Sequence, residues 1–173
     1  MSRTVILDTT AVGRAISRIA HEIIERNEGA EQLALVGIKR RGEFLATRIA
    51  QKIEDFEGVR PLVEAIDITA FRDDKEQNGS AAMTPLALDP AGKTIVLVDD
   101  VLFTGRSARA AMEAILQKGR AQAIQLAVLI DRGHRELPIR PDFVGKNLPT
   151  NRAETVIVSL SEIDNADGVM ITK

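Results

Sequence analysis

The sequence predicts an α/β fold in which a mainly parallel, twisted sheet is flanked by helices. Short apolar runs typical of buried strands alternate with longer stretches whose apolar residues recur at helical spacing. This alternation favours parallel strands joined by right-handed helical crossovers. The chain has 173 residues, 45 % of them hydrophobic, and no repeat or linker divides it. We therefore expect a single domain over residues 1–173.

The first predicted elements are a strand over residues 3–7 and a helix of about 17 residues, for which Asp8 and two threonines supply capping side chains. The apolar face of this helix comprises Val12, Ile16, Ile19, Ile23 and Ile24. On another side, Arg14, Arg18 and His21 share helical spacing and form a strip of two cations and an imidazole. The spacing alone is equally compatible with an ordinary solvated face.

A second strand is predicted over residues 33–38, before a helix whose buried side includes Phe44, Leu45, Ile49 and Ile53. Between them lies the basic turn 39–42, with the sequence Lys-Arg-Arg-Gly. Arginine can grip a diphosphate through paired N–H groups while glycine exposes backbone donors, so this turn suits a diphosphate. A basic turn in solvent is the alternative.

A third strand, roughly over residues 62–68, is followed by a long stretch with little periodicity. Connections of this length inside a compact domain tend to be functional lids or flexible segments. We interpret residues from about 69 to 92 as a mobile flap over the site.

The central stretch 94–107 carries the clearest functional signal. An apolar strand over 94–98 is followed by the acids Asp99 and Asp100, a turn of sequence Thr-Gly-Arg-Ser over 104–107, and a helix from Ala108. Paired carboxylates at the carboxyl end of a parallel strand can accept hydrogen bonds from two ribose hydroxyls. The turn offers hydroxyls and backbone N–H groups at a helix N-terminus, which favour a phosphate.

A solvated strand end with a plain turn would explain an isolated pair of acids, but the combination with the flanking strand and helix favours a site for a phosphorylated sugar.

The rest of the sequence continues the α/β pattern. The helix is predicted to run to about Gln117 and to be closed by Gly119. A core strand over 123–130 precedes a polar loop over 131–138. Further strands are predicted over 142–146 and 155–160, with a short edge strand over 169–171. The loops after residues 38, 98 and 130 are expected to converge at one edge of the sheet.

Composition excludes several classes of function. The chain has no cysteine, so it can form neither a disulfide nor a thiolate metal site. A net charge of −2 argues against a general nucleic-acid coat but not against a local basic face. With 3 % aromatic residues, stacked aromatic platforms for bases are not expected. No apolar leader or membrane-length segment is present, so we expect a cytoplasmic protein without membrane partners.

Residues 98–107 resemble the phosphoribosyl-diphosphate signature of type I phosphoribosyltransferases. Further blocks are similar to the bifunctional pyrimidine-operon attenuator and uracil phosphoribosyltransferase family, and together they cover nearly the whole chain. These blocks are 18–25, 37–42, 67–74, 131–139 and 144–147.

The resemblance implies the type I phosphoribosyltransferase fold with a flap, also called a hood. It implies synthesis of UMP and diphosphate from uracil and 5-phosphoribosyl 1-diphosphate with Mg²⁺. It also implies binding of a pyrimidine-operon leader RNA, controlled by UMP or UTP, which promotes transcription termination. A homodimer or tetramer is expected.

The resemblance also assigns roles by position. Asp99 and Asp100 would bind the ribose hydroxyls, with Asp99 helping to hold the metal through substrate oxygens. Val101, Leu102 and Phe103 would bind substrate beside the acids, and Thr104, Gly105, Arg106 and Ser107 would bind the 5-phosphate. Arg40 and Arg41 would lie at the diphosphate. Asp131 and Arg132 would lie near the base. Arg72 at the base of the flap would act with the two acids in catalysis by approaching the diphosphate. The RNA-binding residues would be Arg14, Arg18, His21, Arg140 and Lys146.

The sequence departs from the family pattern in two places. Arg40 stands where the family usually has a small hydroxyl residue, and the flap is somewhat short; both bear on turnover more than on fold. Two alternatives stay open: a phosphoribosyltransferase for another base, and an RNA-binding regulator that keeps the sugar-phosphate site as a nucleotide sensor.

Overall fold

Two sheets and four α-helices make up the part of the chain that the computed structural model describes, residues 2–71 and 86–173. The strands are β1 (Arg3–Leu7), β2 (Leu33–Ile38), β3 (Leu62–Ile66), β4 (Thr94–Leu102), β5 (Ala123–Asp131), β6 (Phe143–Asn147), β7 (Thr155–Ser159) and β8 (Gly168–Thr172). The helices are α1 (Thr9–Asn27), α2 (Arg41–Glu57), α3 (Arg106–Lys118) and α4 (Ser161–Asp164), with a 3₁₀ turn at Thr69–Phe71.

The larger sheet is parallel and has the strand order β3-β2-β4-β5-β6. From β2 the chain passes through α2 to β3 on one side, whereas from β4 it passes through α3 to β5 on the other. Strand order therefore reverses between β2 and β4. Ligands of open α/β sheets bind at the carboxyl ends of strands at such a reversal, and the loops after β2 and β4 meet there.

Helices cover both faces of the larger sheet, as the sequence predicts. Leu35 and Val96 pack with α1 and α2 on one face, and Val36 and Leu97 pack with α3 on the other. The two sets alternate along each strand because successive side chains point to opposite faces. The expected buried face of α1 is confirmed for Val12, Ile16, Ile19 and Ile23, while Ile24 is only partly buried.

The smaller sheet is antiparallel, with the order β1-β8-β7. The short edge strand predicted over residues 169–171 is wrong in two respects. The strand β8 spans five residues and lies between β1 and β7. A short apolar run reveals a strand but not its neighbours, and both partners of β8 are distant in sequence.

Several predicted boundaries also need correction. The strand β4 continues to Leu102, because its pairing with β5 extends through Asp99, Val101 and Leu102. The two acids therefore lie in the last part of a strand and not in a loop after it. The helix α3 begins at Arg106, two positions before Ala108. Gly119 follows α3 in an extended conformation, with φ 169°, and not in the left-handed conformation of a typical glycine cap.

The described ends of the expected flap are held near the sheet. The 3₁₀ turn follows β3, and the Glu64 carboxylate accepts hydrogen bonds from the Ala87 and Leu88 backbone N–H groups at 2.6 and 2.8 Å. The middle of the flap, including Arg72, lies outside the described residues. Within the described ranges, no helix combines the length and the apolar character needed to cross a membrane.

Candidate active site

The carboxyl end of β4 presents two half-buried acids, Asp99 and Asp100. Asp99 accepts a hydrogen bond from the Asp100 backbone N–H, and Asp100 accepts one from the Val101 backbone N–H, each at 2.9 Å. Asp99 lines a cleft of about 240 Å³. Both carboxylates lie at the carboxyl end of β4, Asp99 in the wall of the cleft and Asp100 one residue further along the strand.

The cleft continues into a tight turn that leads to α3. Gly105 lies at the helix N-cap with φ 94°, a left-handed conformation that favours glycine. The N-cap makes no side-chain hydrogen bond to this helix, and the Arg106 N–H lies at a long distance of 3.4 Å from the Thr104 hydroxyl. First-turn N–H groups at a helix N-terminus favour an anion. The cleft is lined by Asp99, Val101, Leu102, Phe103, Thr104, Gly105, Arg106, Ser107, Ala108 and Glu136.

A second loop, over residues 133–139, packs against this turn. The Glu136 backbone N–H donates to the Thr104 carbonyl at 2.9 Å. The Arg135 guanidinium joins three segments, since it donates to the Phe103 carbonyl at 2.9 Å, the Ile139 carbonyl at 3.0 Å and the Asp131 carboxylate at 2.6 Å. Arg135 therefore holds together the segments that form the wall of the cleft.

Sequence reasoning missed Glu136 as a member of the site. Its carboxylate lies in the cleft wall, 3.4 Å from Arg106 Nε and 3.6 Å from Arg152 Nη2. The polar loop after β5 was visible in the sequence. This loop packs over the turn at residue 104 through long-range hydrogen bonds, which no local sequence pattern reveals.

The basic turn after β2 lies against β4, next to the acids. A Cβ on Gly42 would approach the Val98 carbonyl oxygen to 2.3 Å, and one on Gly37 would approach the Gly42 carbonyl oxygen to 2.4 Å. Only glycine permits such close backbone approach. Lys39 and Arg40 are exposed, and the peptide bond between them is cis. The turn and the acids thus share one edge of the sheet.

Arg41 begins α2 and is held by the segment between β7 and β8. Its Nη2 lies 3.1 Å from both carboxylate oxygens of Asp164. We refer to residues 160–167 as the C-terminal strap. Backbone and arginine hydrogen bonds keep the pKa of Asp164 below its usual value, since the Leu160 N–H, Arg41 and Arg40 all favour the charged carboxylate.

The two residues expected near the base make protein contacts of their own. Asp131 accepts hydrogen bonds from Arg135 and from the Gly133 backbone N–H. Arg132 is 7 % exposed, and its guanidinium lies 4.1 Å from the centroid of the Phe103 ring. It donates to the Thr150 hydroxyl and to the carbonyls of residues 151 and 154. Burial lowers the pKa of Arg132. In this arrangement Arg132 orients Phe103 and the loop over 150–154.

The basic strip on α1 is exposed, as its spacing predicts. The Arg18 guanidinium donates to the carbonyls of Val144, at 3.1 Å, and Gly145 in β6, so it also attaches the helix to that strand. Lys146 is exposed one residue further along β6. The His21 ring stacks on Phe56, with centroids 3.8 Å apart. Arg140 instead lines a groove with Met112 on the α3 side.

Among the described residues, no group of three or more acidic, histidine or cysteine side chains could hold a metal ion alone. The two carboxylates of β4 are hard oxygen donors next to the cleft. This donor set fits Mg²⁺, which proteins usually hold through one or two carboxylates together with substrate phosphates.

Comparison with known proteins gives a consistent result. Residues 2–162 match the family described as phosphoribosyl transferase domain. The chain is 55 % identical to the bifunctional protein PyrR of Brevibacillus brevis, an alignment that covers 99 % of this chain and 97 % of the relative. Identity to the protein of the same name from Clostridium novyi is 54 %, with coverage of 98 % and 97 %.

Solved structures share the fold. A hypoxanthine phosphoribosyltransferase from Staphylococcus aureus superposes with a TM-score of 0.74 at 16 % identity, over 98 % of this chain and 91 % of that chain. A hypoxanthine phosphoribosyltransferase mutant from Trypanosoma cruzi, solved as a ternary substrates complex, gives a TM-score of 0.77 at 17 % identity, with coverage of 98 % and 94 %.

Proposed function

The chain belongs to the phosphoribosyltransferase family and, within it, to the bifunctional PyrR proteins, and we propose that its sugar-phosphate site is the cleft at residues 99–107. It is a uracil phosphoribosyltransferase that forms UMP and diphosphate from uracil and 5-phosphoribosyl 1-diphosphate. It also regulates pyrimidine operons by attenuation.

One observation carries the assignment of the site. Two carboxylates end β4, and within a few residues the chain enters an α-helix whose first turn has no side-chain cap. Both features line or flank one cleft at the point where strand order reverses. Carboxylates suit the ribose hydroxyls, and the uncapped N–H groups suit the 5-phosphate.

The reaction displaces diphosphate at the anomeric carbon, where positive charge develops on the sugar. Asp99 and Asp100 lie at the end of β4 and stabilise that charge by proximity, so no covalent nucleophile from the protein is required. Asp99, together with substrate oxygens, would hold Mg²⁺, which when bound would neutralise charge on the departing diphosphate. The flap over about 69–92 excludes water from the activated ribose.

The basic turn after β2 is proposed to bind the diphosphate. Arg40 is exposed, and the Nε of Arg41 has no hydrogen-bond partner in the described part of the chain after Nη2 pairs with Asp164. Arg72 is proposed to join them from the flap. Asp131 is proposed to lie near the uracil ring, with Arg132 acting mainly through Phe103, which it contacts directly.

For the RNA, we propose a surface made by Arg14, Arg18 and His21 on α1 together with Lys146 at the end of β6. Arg140 stays in the proposal as an additional contact on the α3 side. A two-fold homodimer or a tetramer would present the surface more than once, which enlarges the basic area on an otherwise acidic chain. UMP or UTP in the sugar-phosphate site would control binding, and a cytoplasmic location follows from this role.

The enzymatic part is tested by incubating the protein with 5-phosphoribosyl 1-diphosphate, Mg²⁺ and each free base in turn. We expect conversion of uracil and not of hypoxanthine, guanine or orotate. Turnover of another base instead would reassign the substrate. No turnover with any base, together with leader-RNA binding that responds to UMP, would favour a regulator with a nucleotide-sensing site.

A further inference from the structure

The C-terminal strap docks on the N-terminal half of α2 through two separate groups of ion pairs. Arg48 contacts Glu162 at 2.5 Å and Asp167 at 2.7 Å. Two helical turns earlier, Arg41 contacts Asp164 at 3.1 Å. Arg48 lies away from the sheet edge, whereas Arg41 belongs to the basic turn next to the acids of β4. Only the second group therefore reaches the proposed diphosphate site.

The Asp164 carboxylate is held in place by its own backbone surroundings. Its Oδ2 accepts the Leu160 N–H at 2.9 Å, and the Asp164 N–H donates to the Leu160 carbonyl at 2.7 Å. Leu160 is fully buried in the core that α1 and α2 share with the larger sheet. The carboxylate is thus anchored to the hydrophobic core through a single short turn.

Arg41 uses only part of its donor capacity on this carboxylate. A guanidinium has five N–H donors, and the contacts of Arg41 with Asp164 both run through Nη2. Its Nε is buried and has no hydrogen-bond partner among the residues that the structure describes. An unpaired buried donor is costly. The side chain as a whole is 31 % exposed, so a diphosphate oxygen can approach the guanidinium from the solvent side.

We propose that Asp164 is a positioning residue that fixes the guanidinium of Arg41 for the diphosphate of the substrate. This inference rests on the proposed role of the basic turn. Asp164 does not contact the substrate; it restricts the flexible side chain of an arginine that belongs to the basic turn at the sheet edge. Preorganisation of this kind strengthens ligand binding because less side-chain freedom is lost.

The test measures the dissociation constant of 5-phosphoribosyl 1-diphosphate with Mg²⁺ by isothermal titration, so it does not depend on turnover. The proteins are the unchanged chain, Asp164→Asn, Arg41→Gln and the double variant. Glu162→Gln is the matched control, because it removes a strap carboxylate that pairs with Arg48 and not with Arg41. Thermal unfolding of each variant reports on stability.

We expect Asp164→Asn to weaken binding on the order of fivefold, as for a partly exposed charge-assisted pair. Arg41→Gln should weaken it at least as much, and the double variant should be no weaker than Arg41→Gln alone. Asp164→Glu should recover part of the affinity. Glu162→Gln should bind like the unchanged chain even if its unfolding temperature falls.

The inference is overturned if Asp164→Asn binds normally while Arg41→Gln does not, if the two effects add, or if Glu162→Gln weakens binding as much as Asp164→Asn. Normal binding by Arg41→Gln would overturn both the inference and the proposed role of Arg41. Failure of the proposed uracil transfer is recognised separately, because the unchanged chain would then form no UMP. The binding test does not depend on that result.

Discussion

Asp100 is the residue at which a single charge should matter most to the reaction. Asparagine keeps the shape of the side chain and an oxygen for the Val101 N–H, which donates at 2.9 Å, but removes the negative charge that we propose stabilises the anomeric carbon. We expect Asp100→Asn to reduce uracil conversion roughly 100-fold or more, the size seen when one preorganised electrostatic group is lost. Steady-state assays of UMP formation measure this.

The matched control for this change is Asp55→Asn on the exposed side of α2. It should leave turnover unchanged. Equal turnover by Asp100→Asn and the control would remove Asp100 from the proposed mechanism.

Gly42 should tolerate no side chain. A Cβ there would lie 2.3 Å from the Val98 carbonyl oxygen, so Gly42→Ala must push α2 away from β4. We expect a loss of about 3 kcal/mol in the free energy of unfolding, at the upper end for overpacking. Urea denaturation measures it.

The control for Gly42 is another helical glycine. At Gly13 in α1, a Cβ would meet no neighbouring atom within 4 Å, and Gly13→Ala should stabilise the protein by about 0.5–1 kcal/mol through helix propensity. A comparable loss at both glycines would contradict the close-approach argument.

At the scale of residues, the sequence was enough to predict a sugar-phosphate site at the end of β4 but not the partners of the arginines. Asp99, Asp100 and the turn at 104–107 are adjacent in sequence, so their types and order suffice for a prediction. Arg41 and Asp164 are separated by 123 positions, and Arg132 meets Thr150 through a folded loop. No periodicity reports such pairs, because they arise only when the two sheets have been assembled.

The docking of the C-terminal strap on α2 should depend on pH. Hydrogen bonds from Arg48 hold the pKa of Glu162 and of Asp167 below their ordinary values of 4.5 and 3.8. A carboxylate whose pKa is depressed by folding contributes stability above its ordinary pKa, and loses it as the pH falls through the folded value. The stabilisation is therefore complete at neutral pH and decreases below about pH 4.5.

Arg48→Met should remove this pH dependence. It leaves two carboxylates without their main partner, so we expect a loss of about 2 kcal/mol in the free energy of unfolding at pH 7. Urea midpoints of the variant should then change less than those of the unchanged chain between about pH 5 and about pH 3. Arg60→Met, which removes an exposed pair with Glu54, is the control and should cost less than about 0.5 kcal/mol. A variant with the full acid sensitivity of the unchanged chain would contradict the assignment.

At the scale of elements, hydrophobic periodicity was enough to place every helix longer than one turn and the strands of the parallel sheet. Strand ends were less predictable, because polar residues such as Asp99 and Asp100 stay in β4 through backbone pairing with β5. The antiparallel sheet was missed as a unit. Its strands β1, β7 and β8 are short, and nothing local distinguishes a middle strand from an edge strand.

The proposed RNA surface is a property of the whole molecule, since it joins α1 to β6. We expect the affinity for a pyrimidine-operon leader RNA to fall as salt concentration rises, and Arg14→Ala to weaken binding and to reduce the salt slope by about one phosphate contact. Arg14 is the sharper probe because Arg18 also attaches α1 to the carbonyls of β6. Filter binding over a range of salt concentrations measures both quantities.

Arg120→Ala, an exposed cation at the far end of α3, serves as the control and should bind RNA normally. If Arg14→Ala, Arg18→Ala and His21→Ala all bind like the unchanged chain, the proposed surface is wrong.

The pairing of β1 with β8 has a consequence for synthesis on the ribosome. The strand β1 is translated before the parallel sheet, yet its neighbour in the small sheet is β8, which is translated after that sheet and pairs Thr172 with Arg3. The parallel sheet can assemble while translation continues, but β1 can pair only once β8 has been translated. The small sheet therefore forms after the parallel sheet, and the strap residue proposed to position Arg41 is translated late as well.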